Sequence, residues 1–136
     1  MWDDYWEREM KNSRVLFFAV KTAASKLEVL VKSAYTHFRR QEKLLIQVSD
    51  DTAARYVDTL LWKNPISGFL PHIVTEEESQ DFIVITTATK NLNQAKYVFN
   101  LNKTPILLDS YQLVYEFVDI SSNIRQQLSK KRFEAY

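Results

Sequence analysis

Apolar residues in this chain fall into short unbroken runs and longer helical stripes, and the two kinds alternate. Val15-Leu16-Phe17-Phe18-Ala19-Val20 is a continuous apolar run, as a strand buried on both faces requires. After it, Leu27, Leu30, Val31, Ala34, Tyr35 and Phe38 recur at helical spacing, with Thr22 or Ser25 as the cap. Arg39 and Arg40 close that helix and suit the negative end of its dipole. Leu44-Leu45-Ile46-Gln47-Val48 is a second buried strand. Ser49 and the aspartates Asp50 and Asp51 cap a second helix, with apolar positions Ala53, Tyr56, Val57, Leu60 and Leu61, and Pro65 ends that helical region. Later strands are expected at Phe82–Thr86, Tyr97–Leu101 and Val114–Val118, and Ile106–Leu108 reads as part of a short turn or helix. Residues 121–134 read as a final helix, capped by Ser121 or Ser122, with Ile124, Leu128 and Phe133 facing inward. Strand, helix, strand, helix with short connections favours a parallel sheet with right-handed crossovers.

The first residues differ. Trp2, Tyr5, Trp6 and Met10 stand at helical spacing among Asp3, Asp4, Glu7, Arg8 and Glu9, which predicts a short amphipathic helix. That helix either docks on the chain's own core or offers an aromatic handle to a partner or a second copy. No basic region is followed by an apolar block here, so no secretory signal is expected. No apolar run reaches the roughly 20 residues a membrane helix needs, and a cytoplasmic location is expected.

Composition narrows the chemistry. The 136 residues fit one domain, and 46% hydrophobic with 26% charged residues is ordinary for a globular fold. The chain has no cysteine, which rules out disulfides and cysteine-ligated metal. Its single glycine, Gly68, cannot build a dinucleotide turn or a P-loop, so the α/β frame expected is a nucleotide-binding shape without the phosphate loop. Net charge is +1, which argues against a dedicated nucleic-acid binder. Charge is nonetheless local: Arg125, Lys130, Lys131 and Arg132 face one acid, Glu134, in the last stretch, while Glu76, Glu77, Glu78 and Asp81 cluster without a base. Such patches suit protein partners better than a duplex.

Catalytic candidates are few. His37 is expected on the solvated side of its helix, and His72 follows Pro71 in a loop. Neither belongs to a metal-binding pair. No serine sits in a Gly-x-Ser-x-Gly elbow, and the Glu76–Glu78 cluster reads as solvated. A nucleotide- or metal-dependent nucleic-acid enzyme on this frame would need a phosphate cradle or metal carboxylates. A self-associating structural protein would use Trp2, Tyr5 and Trp6.

Two surfaces remain. The stretch from Leu60 to His72 sets Trp62 and Phe69 on either side of a Pro- and Gly-punctuated loop, as interface anchors or as filling between helix and sheet. The last helix carries Lys130, Lys131, Arg132 and Phe133, either a solvated basic face or a basic rim around an apolar pocket for an acidic peptide.

Leu45-Ile46, Asp50-Asp51, Asp58, Leu61-Trp62, Pro65, Phe69 and Pro71-His72 together resemble the chi subunit of the bacterial DNA polymerase III clamp-loader complex. Tyr97-Val98-Phe99-Asn100-Leu101, Glu116-Phe117-Val118 and Arg132-Phe133-Glu134-Ala135-Tyr136 are similar in the same order, so the resemblance spans roughly residues 14–136 and leaves 1–12 as an extension. The resemblance implies a single, doubly wound, three-layer α/β domain with a mostly parallel sheet. It also implies a non-catalytic adaptor without a cofactor. Such an adaptor joins the clamp loader, through the psi subunit, to the acidic C-terminal tail of single-stranded-DNA-binding protein, which ends in Ile-Pro-Phe. No membrane contact and no sequence-specific DNA binding are implied. Trp62 and Phe69 fall on the family's psi-facing surface. Lys130 and Phe133 fall at tail-binding positions, with Arg125, Lys131 and Arg132 beside them. Phe133 stands where a tyrosine is usual and Glu134 where a lysine is usual, and the chain stops at Tyr136 where longer members continue.

Overall fold

Parallel strands must be apolar on both faces, and this chain supplies five such strands whose alternate residues enter two different cores. A computed structural model describes residues 5–10, 13–63, 70–106, 111–120 and 122–136. Strands β1 (Tyr5–Met10), β2 (Ser13–Val20), β3 (Leu44–Gln47), β4 (Ile73–Val74), β5 (Ile83–Thr86), β6 (Tyr97–Asn100) and β7 (Leu113–Asp119) form one open sheet in the order β1-β2-β7-β6-β3-β5-β4. All neighbours are parallel except β1, which runs antiparallel to β2 at one edge. Helices α1 (Ala23–Arg39) and α2 (Asp51–Lys63) follow β2 and β3, and α3 (Asn123–Ala135) follows β7.

The period-2 alternation assigns the layers. Phe18, Val20, Leu44, Ile46, Ile83, Ile85, Phe99 and Phe117 pack with α1 and α2 through Leu30, Val31, Ala34, Val57 and Leu61. Their sequence neighbours Phe17, Leu45, Val84, Val98, Val114 and Val118 line the opposite face with Ile106, Tyr111 and Tyr136, and Phe133 of α3 packs against them. The result is the expected doubly wound, three-layer α/β sheet.

Capping follows local chemistry. Thr22 accepts a hydrogen bond from the Ser25 amide, Asp50 Oδ1 accepts from the Ala53 amide and Ser122 Oγ accepts from the Arg125 amide. The alternatives are thereby resolved to Thr22 and Ser122, and Ser121 lies outside the described residues. Beyond α1 the chain turns through Gln41 at φ 57°, a left-handed position that glycine would take at lower cost.

Several expectations are corrected. Residues 5–10 are a strand, not a helix, and residues 2–4 lie outside the described residues. A helix of two turns is marginal alone, whereas β2 offers an open ladder of donors and acceptors, paired in register from Tyr5↔Phe18 to Met10↔Ser13. In α2, Ala54 is buried and Tyr56 is exposed, one position away from the predicted stripe. In α3, Ile124 and Leu128 point outward at 74% and 53% exposure, and Ser129 is buried instead. Phe133 faces inward as expected, but polar contacts also hold that helix to the sheet, so Ile124 and Leu128 do not mark the inner side. Ile106 lies in no regular element, and Leu107, Leu108 and Pro65 lie outside the described residues. The two-residue strand β4 is exposed and carried no apolar run to announce it.

His37 is also corrected, being 3% exposed. Its Nε2 lies 2.9 Å from the Tyr115 hydroxyl, and Nδ1 has no hydrogen-bond partner, with a Glu42 carboxyl oxygen 3.8 Å away. The rings of Tyr97 and Tyr115 pack against the imidazole, 4.7 and 5.5 Å between centroids. Burial pushes the His37 pKa below its ordinary value, with Glu42 opposing and Arg40 reinforcing the effect. Burial likewise raises the Tyr115 hydroxyl to about 12.

A histidine held neutral in the fold is charged first in the unfolded chain as pH falls. Stability is therefore full above the ordinary value of 6.5 and is lost as pH drops from there toward the lowered folded value. Urea denaturation of His37→Gln against wild type between pH 7.5 and 5 is expected to show a flatter acid limb in the variant. At neutral pH the loss of the Tyr115 contact is expected to cost about 1 kcal/mol. Parallel pH profiles for the two proteins would assign the acid sensitivity elsewhere.

Candidate functional site

The last turn of α2 presents Trp62 at 47% exposure. Its position follows from i, i+4 geometry. The indole Nε1 donates to Asp58 Oδ1 at 3.1 Å, one turn back. The indole also lies on the His72 ring, 4.3 Å between centroids. His72 is fixed in turn, with Nε2 3.0 Å from Asp58 Oδ1 and Nδ1 2.7 Å from the Leu70 carbonyl oxygen. The His72 side chain is buried. Its role in this arrangement is to support an exposed tryptophan. Phe69 lies outside the described residues.

Beside this cluster, the edge strand β4 exposes Ile73 and Val74, and α2 exposes Tyr56. Sequence reading missed these three as surface groups. The available signal was β-branched residues immediately after Pro71-His72 in a stretch too short to be a core strand.

The basic residues of α3 divide by side. Lys130, Lys131 and Glu134 are exposed. Arg125 is exposed and lies 3.5 Å from Asp119. Arg132 turns inward, where Nε donates to Glu116 Oε1 at 3.2 Å and a terminal nitrogen donates to the Phe117 carbonyl at 3.0 Å. Phe133 is half-buried with its ring edge-on to Phe17, 5.3 Å between centroids. The structure thus brings the five α3 candidates onto one helix, with three cations outward and Arg132 and Phe133 committed to the sheet.

Glu116 is 0% exposed. Besides Arg132 it accepts from the Tyr136 hydroxyl at 2.5 Å and from the Asn100 amide at 2.6 Å. Burial raises its pKa, opposed by these three donors. Among the described residues, no group of His, Asp and Glu side chains is arranged to hold a metal ion, and no helix is long and apolar enough to cross a membrane.

This is a doubly wound α/β protein whose exposed aromatic, aliphatic and cationic groups lie on α2, α3 and a sheet edge. The family model for the DNA polymerase III chi subunit, HolC, matches residues 12–136, and the chain belongs to that family. It is accordingly an accessory subunit of DNA polymerase III, with protein partners in that holoenzyme. No curated protein matches the chain.

Asp58 serves Trp62 and His72 at once, so Asp58→Ala removes the indole's acceptor and leaves His72 Nε2 with only the main-chain carbonyl of residue 58, 3.3 Å away. The substitution is expected to lower stability by about 1–3 kcal/mol. Urea denaturation checks this, and an unchanged midpoint would show that solvent replaces both bonds.

Proposed function

We propose that this protein is a non-catalytic, cytoplasmic bridge in replication. It would join the polymerase III clamp loader, through the psi subunit or another loader protein, to the acidic C-terminal tail of single-stranded-DNA-binding protein. The observation that carries this reading is the placement of two different exposed surfaces on opposite faces of one sheet. Trp62 sits on α2 with the exposed Ile73 and Val74 of β4 nearby, whereas Lys130, Lys131 and Arg125 sit on α3 across the sheet. Two partners held on opposite faces do not compete for space.

The α2 surface supplies an aromatic anchor whose orientation is fixed before binding, which reduces the ordering cost of association. Trp62 and Phe69 are the anchors assigned to the clamp-loader partner. The α3 surface supplies cations that draw in an acidic peptide, with the part of the Phe133 ring left uncovered by Phe17 beside them for an aromatic residue at the peptide's end. Lys130 and Lys131 carry most of that attraction, since Arg132 is neutralised by Glu116 and Arg125 is paired with Asp119. Glu134 lies exposed among them and opposes it.

Trp62→Ala combined with Phe69→Ala is expected to abolish co-purification with clamp-loader protein while far-ultraviolet circular dichroism stays unchanged. Undiminished co-purification of the folded double variant would remove the α2 surface from the reading. A peptide ending in Asp-Ile-Pro-Phe is expected to bind in a salt-sensitive manner, and its Phe→Ala counterpart is not. Glu134→Lys is expected to tighten binding severalfold at low salt, by up to about 1 kcal/mol for an exposed charge. Calorimetric titration reads both effects, and absence of binding at every salt concentration would place the tail elsewhere.

A further inference from the structure

A cleft of about 380 Å³ opens at the carboxyl ends of β6 and β7, between α1, α3 and the segment that follows β6. In open parallel α/β sheets this is the region where ligands bind. Four cations line it: Lys26 from α1, Lys103 after β6, and Arg125 and Arg132 from α3. Asp119 is the acid in the lining. Arg125 is paired with Asp119 at 3.5 Å and Arg132 with Glu116 at 3.2 Å, so these charges largely cancel. Lys26 and Lys103 have no ion-pair partner among the described residues, and they leave the cleft with two uncompensated positive charges. The Lys26 ammonium stands 5.5 Å from the centre of the Phe117 ring. A smaller hollow of about 140 Å³ adjoins the cleft at the start of α1 and shares Lys26, Asp119 and Arg125 with it.

Of the remaining lining, Leu101, Phe117 and Leu128 are apolar, and Asn100, Asn102 and Ser129 are polar. Leu128 is half-exposed on α3, and Leu101 faces the same space. Two ammonium groups beside an apolar wall match a ligand that joins a phosphate to a flat, weakly polar body. A small carboxylate could bridge the two lysines but, like a bare polyanion, would leave the leucines wet.

We propose that this cleft binds a nucleotide, its phosphate between Lys26 and Lys103 and its sugar and base against Leu101 and Leu128. The nucleotide comes either free or as one unit of a single strand. The chain's one glycine, Gly68, lies far from the cleft in sequence, so side-chain charge rather than a backbone cradle carries the phosphate contact. Binding of this kind is weak, independent of sequence and steeply salt-dependent. The site is separate from the outward Lys130 and Lys131 to which the acidic tail is assigned.

The test is fluorescence anisotropy of a labelled oligo(dT) with the full chain, over a range of salt. With Lys26 and Lys103 as phosphate contacts, the log–log salt slope is expected near −1.4, at about −0.7 per contact. The double substitution Lys26→Ala, Lys103→Ala is expected to bring the slope to about zero and weaken binding at low salt by about tenfold or more. Both lysines lie at the surface, and an unchanged melting curve verifies that the variant folds. Displacement of the oligonucleotide by dTMP would assign the site to a free nucleotide, and binding without displacement would assign it to a strand; either supports the proposal. Titration of the double variant with the Asp-Ile-Pro-Phe peptide separates the two sites, and retained peptide binding is expected. The proposal is overturned if oligo(dT) does not bind at low salt, if the double variant binds it as wild type does, or if the peptide displaces it and the variant loses both ligands.

Discussion

The carboxyl group of Glu116, fully buried in the middle of β7, anchors the face of the sheet on which α3 sits. Removing a carboxylate from water is costly, and the cost is met only when its oxygens are fully served. Here Arg132 brings α3 to the sheet, Asn100 brings in the end of β6, and Tyr136 brings the end of the chain. The Tyr136 hydroxyl then accepts from the Ile106 amide, so the segment after β6 is held by the same group. With its apolar residues Ile124 and Leu128 turned outward, α3 depends on this network and on the bond from the Asp119 amide to Ser129 for its place. Loss of one partner from such a buried pair costs about 3–5 kcal/mol in general, because the charge left behind has no solvent to turn to.

That constraint shapes the basic surface of α3. With Arg132 held inward, the helix rotates so that Lys130 and Lys131 face solvent and Phe133 covers Phe17. The cleft between α3 and α1 exists for the same reason, since Arg132 forms part of its lining as it reaches down to Glu116. At the other end of the sheet a smaller polar cluster does similar work. One oxygen of Asp58 holds both Trp62 and His72, and a large apolar ring is thereby kept in one orientation at the surface. In both places a polar side chain fixes where a neighbouring group points, and the apolar core fixes only the frame.

The layered frame was legible in the chain because its signal is local. Apolar runs such as Leu44–Val48 and helical stripes such as Leu30, Val31 and Ala34 depend on spacing alone, and the strands and helices formed where that spacing placed them. The resemblance carried by Leu61-Trp62 and Pro71-His72 led to the right family. Tyr5–Met10 carries a helical spacing of apolar residues, and the strand is chosen instead by the open edge of β2, which no local pattern reveals. The burial of His37 was missed because the rings that cover it, Tyr97 and Tyr115, come from β6 and β7.

The sequence by itself determined the fold class, the order of the central elements, the family, and the presence of a tryptophan at the end of the second helix and of a basic last helix. Each of these rests on residue type and spacing along the chain. Tertiary structure alone decided that Glu116 is a buried hub, that Arg132 and Phe133 turn inward while Lys130 and Lys131 turn outward, and that Lys26 and Lys103 meet across a cleft. These outcomes join residues 16 to 77 positions apart in the chain. Their partners are set by the register of parallel strands and the docking of α3, and charge and burial are properties of that arrangement rather than of the residues alone.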